Sequence, residues 1–382
     1  MAGKRSIFEE VGAAPVAVPQ AGGIDARGLG ARAGVRVWLM VLFALVVVMI
    51  AVGGLTRLTD SGLSITTWKP ISGALPPMDA AAWNAEFAAY QGSPEFVLQN
   101  KTMTLESFKT IFWWEWGHRQ LGRVIGLVWA VGFAGFLVAG QIPPRWTKRL
   151  LAIGGLIGLQ GAIGWWMVSS GLTGVMVDVA SYRLATHLGL AFVILGLIAW
   201  AIFLLGRRDA DLMQARRGRE DKLFRMSTGL MHFAFLQVVL GALVAGIDAG
   251  RNYPTWPLMN GEFFPSDAFL VPGRPVWAAF FENAGLVQFI HRMSGYLLFA
   301  FGVVVWLRGR KSAYLATRRA FHGMMGMMLV QVALGIATVL SAAALHPAIT
   351  HQVGAVVLWV LILRARYLAN YPLAGSIRKG TA

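Results

Sequence analysis

Eight stretches of this chain are apolar over close to the roughly 20 residues that a helix needs to cross a hydrocarbon core. They lie at about 37–56, 117–140, 150–168, 184–205, 228–247, 287–307, 322–343 and 349–366. Backbone polar groups in lipid must be satisfied within the segment, so such stretches can only be helices. Composition agrees. Of 382 residues 56% are apolar and 14% charged, against roughly 25% charged in a soluble protein. A disordered chain, a fibrous protein and a soluble enzyme of ordinary surface are excluded. The first stretch is too long, and too poorly flanked by small residues, for a cleavable signal, so a retained span is expected. The fold class expected is all-α integral membrane.

The net charge of +16 would suggest nucleic acid in a soluble protein. Here the cations sort by loop. Lys4, Arg5, Arg27, Arg32 and Arg36 precede span 1; Arg145, Lys148 and Arg149 lie between spans 2 and 3. Arg207, Arg208, Arg216, Arg217, Arg219, Lys222 and Arg225 join spans 4 and 5. Arg308, Arg310, Lys311, Arg318 and Arg319 follow span 6, and Arg364, Arg366, Arg378 and Lys379 follow span 8. If eight spans alternate, all these segments share one side, and the positive-inside rule puts both termini in the cytoplasm. The charge then reads as membrane topology, with no nucleic-acid partner. On the other side lie two long loops, about 57–116 and 248–286, rich in Trp, Pro and Phe.

The chain repeats itself. Gly53, Asp60, Gly62, Thr67, Trp68, Gly73 and Pro77 after span 1 match Gly241, Asp248, Gly250, Thr255, Trp256, Gly261 and Pro265 after span 5, each pair 188 residues apart. His118-Arg119 opens span 2 and His291-Arg292 span 6; Gln160 and Gly164 in span 3 match Gln331 and Gly335 in span 7; Thr186-His187 and Thr350-His351 open spans 4 and 8. Four spans per copy leave both copies in one orientation, related by an axis along the membrane normal. The expectation is two pseudo-symmetric four-helix bundles: a flexible tail 1–36, a first repeat 37–206, a basic cytoplasmic linker 207–227, a second repeat 228–367 and a tail 368–382.

Four of the seven histidines, His118, His187, His291 and His351, open the even-numbered spans on the non-cytoplasmic side. Two facing imidazoles at equal depth can ligate a haem iron on both axial faces, giving the pairs His118/His187 and His291/His351. A lone histidine near a span end is more often interfacial; four at matching positions inside a membrane point to function. Copper or zinc would favour three or more clustered ligands. The chain has no cysteine, so thiolate ligation and iron–sulfur clusters are excluded. His232, His322 and His346 have no matching partners and read as structural or interfacial.

Glu115 lies three residues before His118, on the same helical face if the helix starts early enough. Its counterpart is Gln288. A carboxylate beside an iron site can take up protons or stabilise a developing cation, which an amide cannot. The first repeat therefore reads as the chemical one, and the second as holding a structural or electron-transferring haem. Arg119, Arg292, Arg57, Arg183 and Arg251 lie on the same side and can serve the anionic propionates.

These residues carry a resemblance to a known family. Gly53-Gly-Leu-Thr-Arg57-Leu-Thr-Asp-Ser-Gly-Leu-Ser, Glu115-Trp-Gly-His118-Arg119, Thr186-His187-Leu, Gln288-Phe-Ile-His291-Arg292 and His351-Gln352 resemble the heme A synthase family in its alphaproteobacterial and mitochondrial form, over nearly the whole chain after about residue 35. The resemblance implies oxidation of the C8 methyl of haem O to a formyl group, giving haem A, by successive hydroxylations and loss of water. It implies haem b on His291 and His351, substrate haem facing His118 and His187, and Glu115 as the essential acid. It also implies an inner-membrane location, supply by a haem O synthase, delivery toward cytochrome c oxidase and an electron donor of unstated identity. Members of the Bacillus type carry a cysteine pair in outer loops, which this chain lacks. The alternative reading from the histidines alone is a di-haem b electron carrier, or a haem transporter or chaperone.

Overall fold

The computed structural model describes residues 23–174 and 176–373. Residues 1–22 and 374–382, which make up much of the two expected tails, lie outside the described residues. The helices are α1 (Gly23–Leu58), α2 (Ala80–Gln91), α3 (Pro94–Leu98), α4 (Leu105–Val138), α5 (Thr147–Val168), α6 (Ser181–Leu205), α7 (Asp209–Arg217), α8 (Asp221–Gly246), α9 (Ala249–Asn252), α10 (Ala279–Glu282), α11 (Ala284–Gly309), α12 (Leu315–Leu340) and α13 (Leu345–Asn370). Among the described residues there is no multi-residue strand. Eight helices, α1, α4, α5, α6, α8, α11, α12 and α13, are long and apolar enough to cross a membrane. They coincide with the eight expected spans.

The helix ends differ from those read in the sequence, because hydropathy locates the apolar stretch and not the polar turns that continue it. α1 starts at Gly23, so residues 23–36 of the expected flexible tail are helical. Val35 is fully buried there, and Arg32 bonds Asp209 at 3.0 Å and the Leu204 and Arg207 carbonyls. The basic linker 207–227 is mostly helix, α7 followed by the first turns of α8. α13 runs on to Asn370 because Tyr367, Leu368 and Ala369 are core residues. The largest difference is α4. It begins at Leu105, where the Thr104 side chain caps the Ser107 N–H and Glu106 sits in the positive first turn. The early turns bury Phe108 and Phe112, one turn apart, against Tyr90 and Ile65. The α2–α3 segment thus supplies an apolar cover outside the membrane region for a helical extension too aromatic and charged to read as a span.

Contacts between helices form two rings. In the first half α1 touches α4 and α6, and α5 touches α4 and α6; in the second α8 touches α11 and α13, and α12 touches α11 and α13. The halves meet through α1, α6, α8 and α13. Trp359 of α13 lies in this seam, donating from Nε1 to the Phe192 carbonyl of α6 at 3.1 Å. Within a ring α4 and α6, or α11 and α13, stand diagonally opposite. These are the helices that carry the four repeated histidines.

The Met-rich run of span 7 packs in the core: Met324, Met325 and Met328 are buried, with Met328 against Gly302. Unbranched thioether side chains fill irregular gaps well.

Candidate functional site

The structure brings the four repeated histidines into two diagonal pairs. His118 on α4 is an electrostatic neighbour of His187 on α6, and His351 on α13 is one of His291 on α11. Each of the four imidazoles is half-buried. His232, His322 and His346 are exposed. His232 bonds the Thr228 carbonyl and His322 accepts from Trp306 Nε1. Among the described residues no three His, Asp or Glu groups converge as a metal site.

Each histidine lies over a glycine of a neighbouring helix. A Cβ on Gly164 would stand 2.9 Å from His187, on Gly241 3.0 Å from His291, on Gly335 3.1 Å from His351, and on Gly53 3.4 Å from His118. At Gly164, Gly241 and Gly335 a side chain would crowd the ring, whereas at Gly53 the approach is an ordinary contact. One turn before three of these glycines stands a glutamine. Gln160 Nε2 donates to the His187 carbonyl at 2.9 Å and lies 3.2 Å from its Nδ1. Gln331 does the same to His351, and Gln237 to His291 at 2.9 and 3.1 Å. At His187 and His291 the same amide nitrogen also lies 3.4 and 3.5 Å from Nε2; an amide that holds both the histidine's carbonyl and its ring restricts how the ring can turn. Sequence reading paired Gln160 with Gln331 but missed Gln237. The signal was present: Gln237 precedes Gly241 by the spacing that separates Gln160 from Gly164 and Gln331 from Gly335.

Because α4 starts early, Glu115 and His118 do share one helix, one turn apart. Glu115 is almost fully buried. Both its oxygens accept: Oε1 from Arg119 at 2.6 and 3.1 Å, Oε2 from the Ser64 hydroxyl and the Ile65 N–H at 2.7 Å each. Gln288 instead donates to the Ala249 carbonyl at 2.6 Å and leaves its own oxygen without a partner. The expected asymmetry is therefore one of geometry as well as charge.

The arginines beside the histidines hold the outer loops. Arg119 donates to the Ile65 and Thr67 carbonyls at 2.8 and 3.0 Å; Arg292 donates to the corresponding Tyr253 and Thr255 carbonyls at 2.7 and 2.9 Å. Gln120 and Arg123 pin the same first loop at Ala74, Lys69 and Pro70. Arg183 donates to the Trp166 carbonyl at 2.6 Å, and Arg251 faces Asp248 at 3.6 Å. Arg57 crosses between halves: it bonds Asp60 at 3.1 Å and Asp248 at 2.9 Å and lies 3.6 Å from Asp178. Gln352, next to His351, also crosses, donating to the Ile50 carbonyl of α1 at 2.6 Å.

In the outer cover, Glu95 is buried with Oε2 unpartnered. Burial pushes its carboxyl up to about 8, with Asp178, Glu115 and Asp60 adding to the rise and a hydrogen bond with Tyr90 opposing it. Burial also raises Asp178, against the attraction of Arg57.

Fold and site together define a class: an integral membrane protein of eight helical spans with two inward-facing histidine pairs under tied outer loops. More particularly, the chain belongs to the cytochrome oxidase assembly protein family COX15-CtaA, whose family model matches residues 36–363. It is 64% identical to a heme A synthase of Ruegeria sp. (strain TM1040), over 98% of this chain and 99% of the relative. It is 62% identical to a heme A synthase of Cereibacter sphaeroides (strain ATCC 17029 / ATH 2.4.9), over 99% of each, and 62% identical to one of Dinoroseobacter shibae, over the full length of both.

Proposed function

We propose that this chain is a heme A synthase, an oxidoreductase that converts the C8 methyl of haem O to the formyl group of haem A. The name shared by relatives identical at more than three positions in five supports the reaction. The observation that carries the assignment to particular residues is the diagonal pairing of His118 with His187 and of His291 with His351, each half-buried ring lying over a glycine. In each half these two histidines would hold a haem iron. A di-haem b electron carrier or a haem transporter would use the same histidines, but neither needs Glu115 where the other half has Gln288.

In this reading the first half, residues 37–206, takes the substrate and the second, residues 228–367, the cofactor; the matching contacts of Arg119 and Arg292 support two copies of one unit. Haem b on His291 and His351 supplies one-electron transfer when bound. His118 and His187 hold the substrate macrocycle at a fixed depth, which turns the oxidation of one methyl into a matter of placement. Passing from methyl to formyl gains one oxygen atom, counted as water, and loses four protons and four electrons to an oxidant outside this chain: two hydroxylations give a geminal diol, which loses water to leave the formyl group. Protons or positive charge develop at that carbon, and Glu115 is the negative group one turn from His118. Its oxygens are taken by Ser64, Ile65 and Arg119, so a proton reaches Oε2 by displacing the Ser64 hydroxyl. Arg119 anchors the turn at 64–67 beside Glu115, with Ser64 and Ile65 buried there. Arg119 and Arg292, each directly after its histidine, would be the cations to hold the anionic propionates.

The proposed setting is the cell inner membrane with both termini cytoplasmic, as the cationic loops imply. A haem O synthase would supply the substrate and cytochrome c oxidase assembly would take the product. The haem extracted from purified protein tests the assignment. Haem O or haem A beside haem b is the expected result; haem b alone would favour the carrier.

A further inference from the structure

The histidine pairs are not held alike. At His187, His291 and His351 a glutamine of the facing helix donates to the histidine's own carbonyl at 2.9 Å and reaches its Nδ1. At His118 the corresponding residue is Met49, four before Gly53 as Gln237 is four before Gly241. The two side chains occupy the same place. Met49 Cε lies 3.3 Å from where a Cβ of Gly122 would be, and Gln237 Nε2 lies 3.2 Å from where a Cβ of Gly295 would be, each glycine one turn after its histidine. A thioether donates no hydrogen bond. Among the described residues no side chain bonds the His118 ring. An independent measure agrees: a Cβ built on its glycine would stand 3.4 Å from His118, against 2.9–3.1 Å for the other three.

We propose that Met49 makes His118 the releasing ligand of the first half, so that haem held by His118 and His187 exchanges while haem held by His291 and His351 stays. The inference rests on the proposed function, since a substrate that becomes a product must enter and leave, whereas a cofactor must not. A ligand whose ring is unrestrained pays more orientational entropy on binding and lets go first. A ring held by a neighbouring amide, at His187 and His291 within reach of both its nitrogens, keeps one orientation. The sequence gives the two halves the same histidine and the same glycine, and removes the clamp in one of them.

The test uses the full-length chain, purified and reconstituted with hemin at both pairs, with release followed by capture on excess apomyoglobin. Wild type is expected to release in two phases, with the fast one absent in His187→Ala. Met49→Gln should slow the fast phase about five-fold, the size of one added hydrogen bond. Gln237→Met should speed the slow phase by a similar factor, and Met49→Leu, which adds no donor, should match wild type. A fast phase unchanged in Met49→Gln, or slowed equally by Met49→Leu, overturns the proposal. If Met49→Gln does not fold, a slow phase unmoved by Gln237→Met overturns it. Failure of hemin to bind at His118/His187 in wild type would instead defeat the proposed function beneath it.

Discussion

Arg119 closes on Glu115 across one turn of α4, its Nη2 2.6 Å from the carboxylate, while the same guanidinium holds the carbonyls of Ile65 and Thr67. One ion pair therefore joins the acid nearest His118 to the loop above it. Removing one member of a buried pair leaves the other uncompensated, at a cost of about 3–5 kcal/mol. Arg119→Ala is expected to lower the thermal midpoint of the purified protein by several degrees. Arg292→Ala, with no carboxylate partner, should lower it less. Differential scanning fluorimetry in detergent reads both.

Glu115→Gln keeps the shape and loses the charge. If the carboxylate takes a proton or steadies positive charge, haem A formation should fall on the order of 100-fold or more, while the protein still folds and still holds haem b. Haem A at wild-type levels in cells carrying this variant would remove Glu115 from the chemistry and leave it an anchor of the 64–67 turn.

The glycines under the histidines make a graded prediction. Gly164→Ala, Gly241→Ala and Gly335→Ala each push a ring that is already within 3.1 Å, and overpacking of this kind costs about 1–3 kcal/mol. Haem content should drop at the affected pair. Gly53→Ala, with 3.4 Å to His118, should have the smallest effect of the four. Pyridine haemochrome assays of each variant give the ranking.

Glu95 predicts a pH dependence. Its folded-state value of about 8 lies above its ordinary 4.5, so the folded protein keeps a proton that the unfolded chain gives up between those values. Stability from this group is therefore greatest below about pH 4.5, falls as pH rises toward 8 and levels off above it. Tyr90, Asp178, Glu115 and Asp60 are the titratable groups around it. Glu95→Gln should flatten that slope in melting curves recorded from pH 5 to 9; an unchanged slope would contradict it.

Much of the fold was legible. Span length and hydropathy located all eight long apolar helices, and the recurrence of His118, His187, His291 and His351 drew attention to the histidines proposed as ligands. What escaped were features set by partners distant in sequence. The first turns of α4 are helical because Tyr90 and Ile65 cover Phe108 and Phe112, which no local pattern announces. Arg119 and Arg292 stood out beside their histidines, but their bonds to the carbonyls of Ile65, Thr67, Tyr253 and Thr255 did not; a sequence does not show which backbone acceptors a loop will leave open. Gln237 and Met49 could have been found, since the Gln-to-Gly spacing of one turn recurs in the sequence and fails at one place.

The central claim is that this chain makes haem A. The direct measurement is to co-express it with a haem O synthase in cells that lack a heme A synthase of their own, and to separate the extracted haems by chromatography. Haem A in cells carrying the wild-type chain, and its loss in Glu115→Gln and in His118→Ala, is the predicted result. Haem O accumulating beside haem b with no haem A, from a chain shown to be folded in the membrane, would contradict the account.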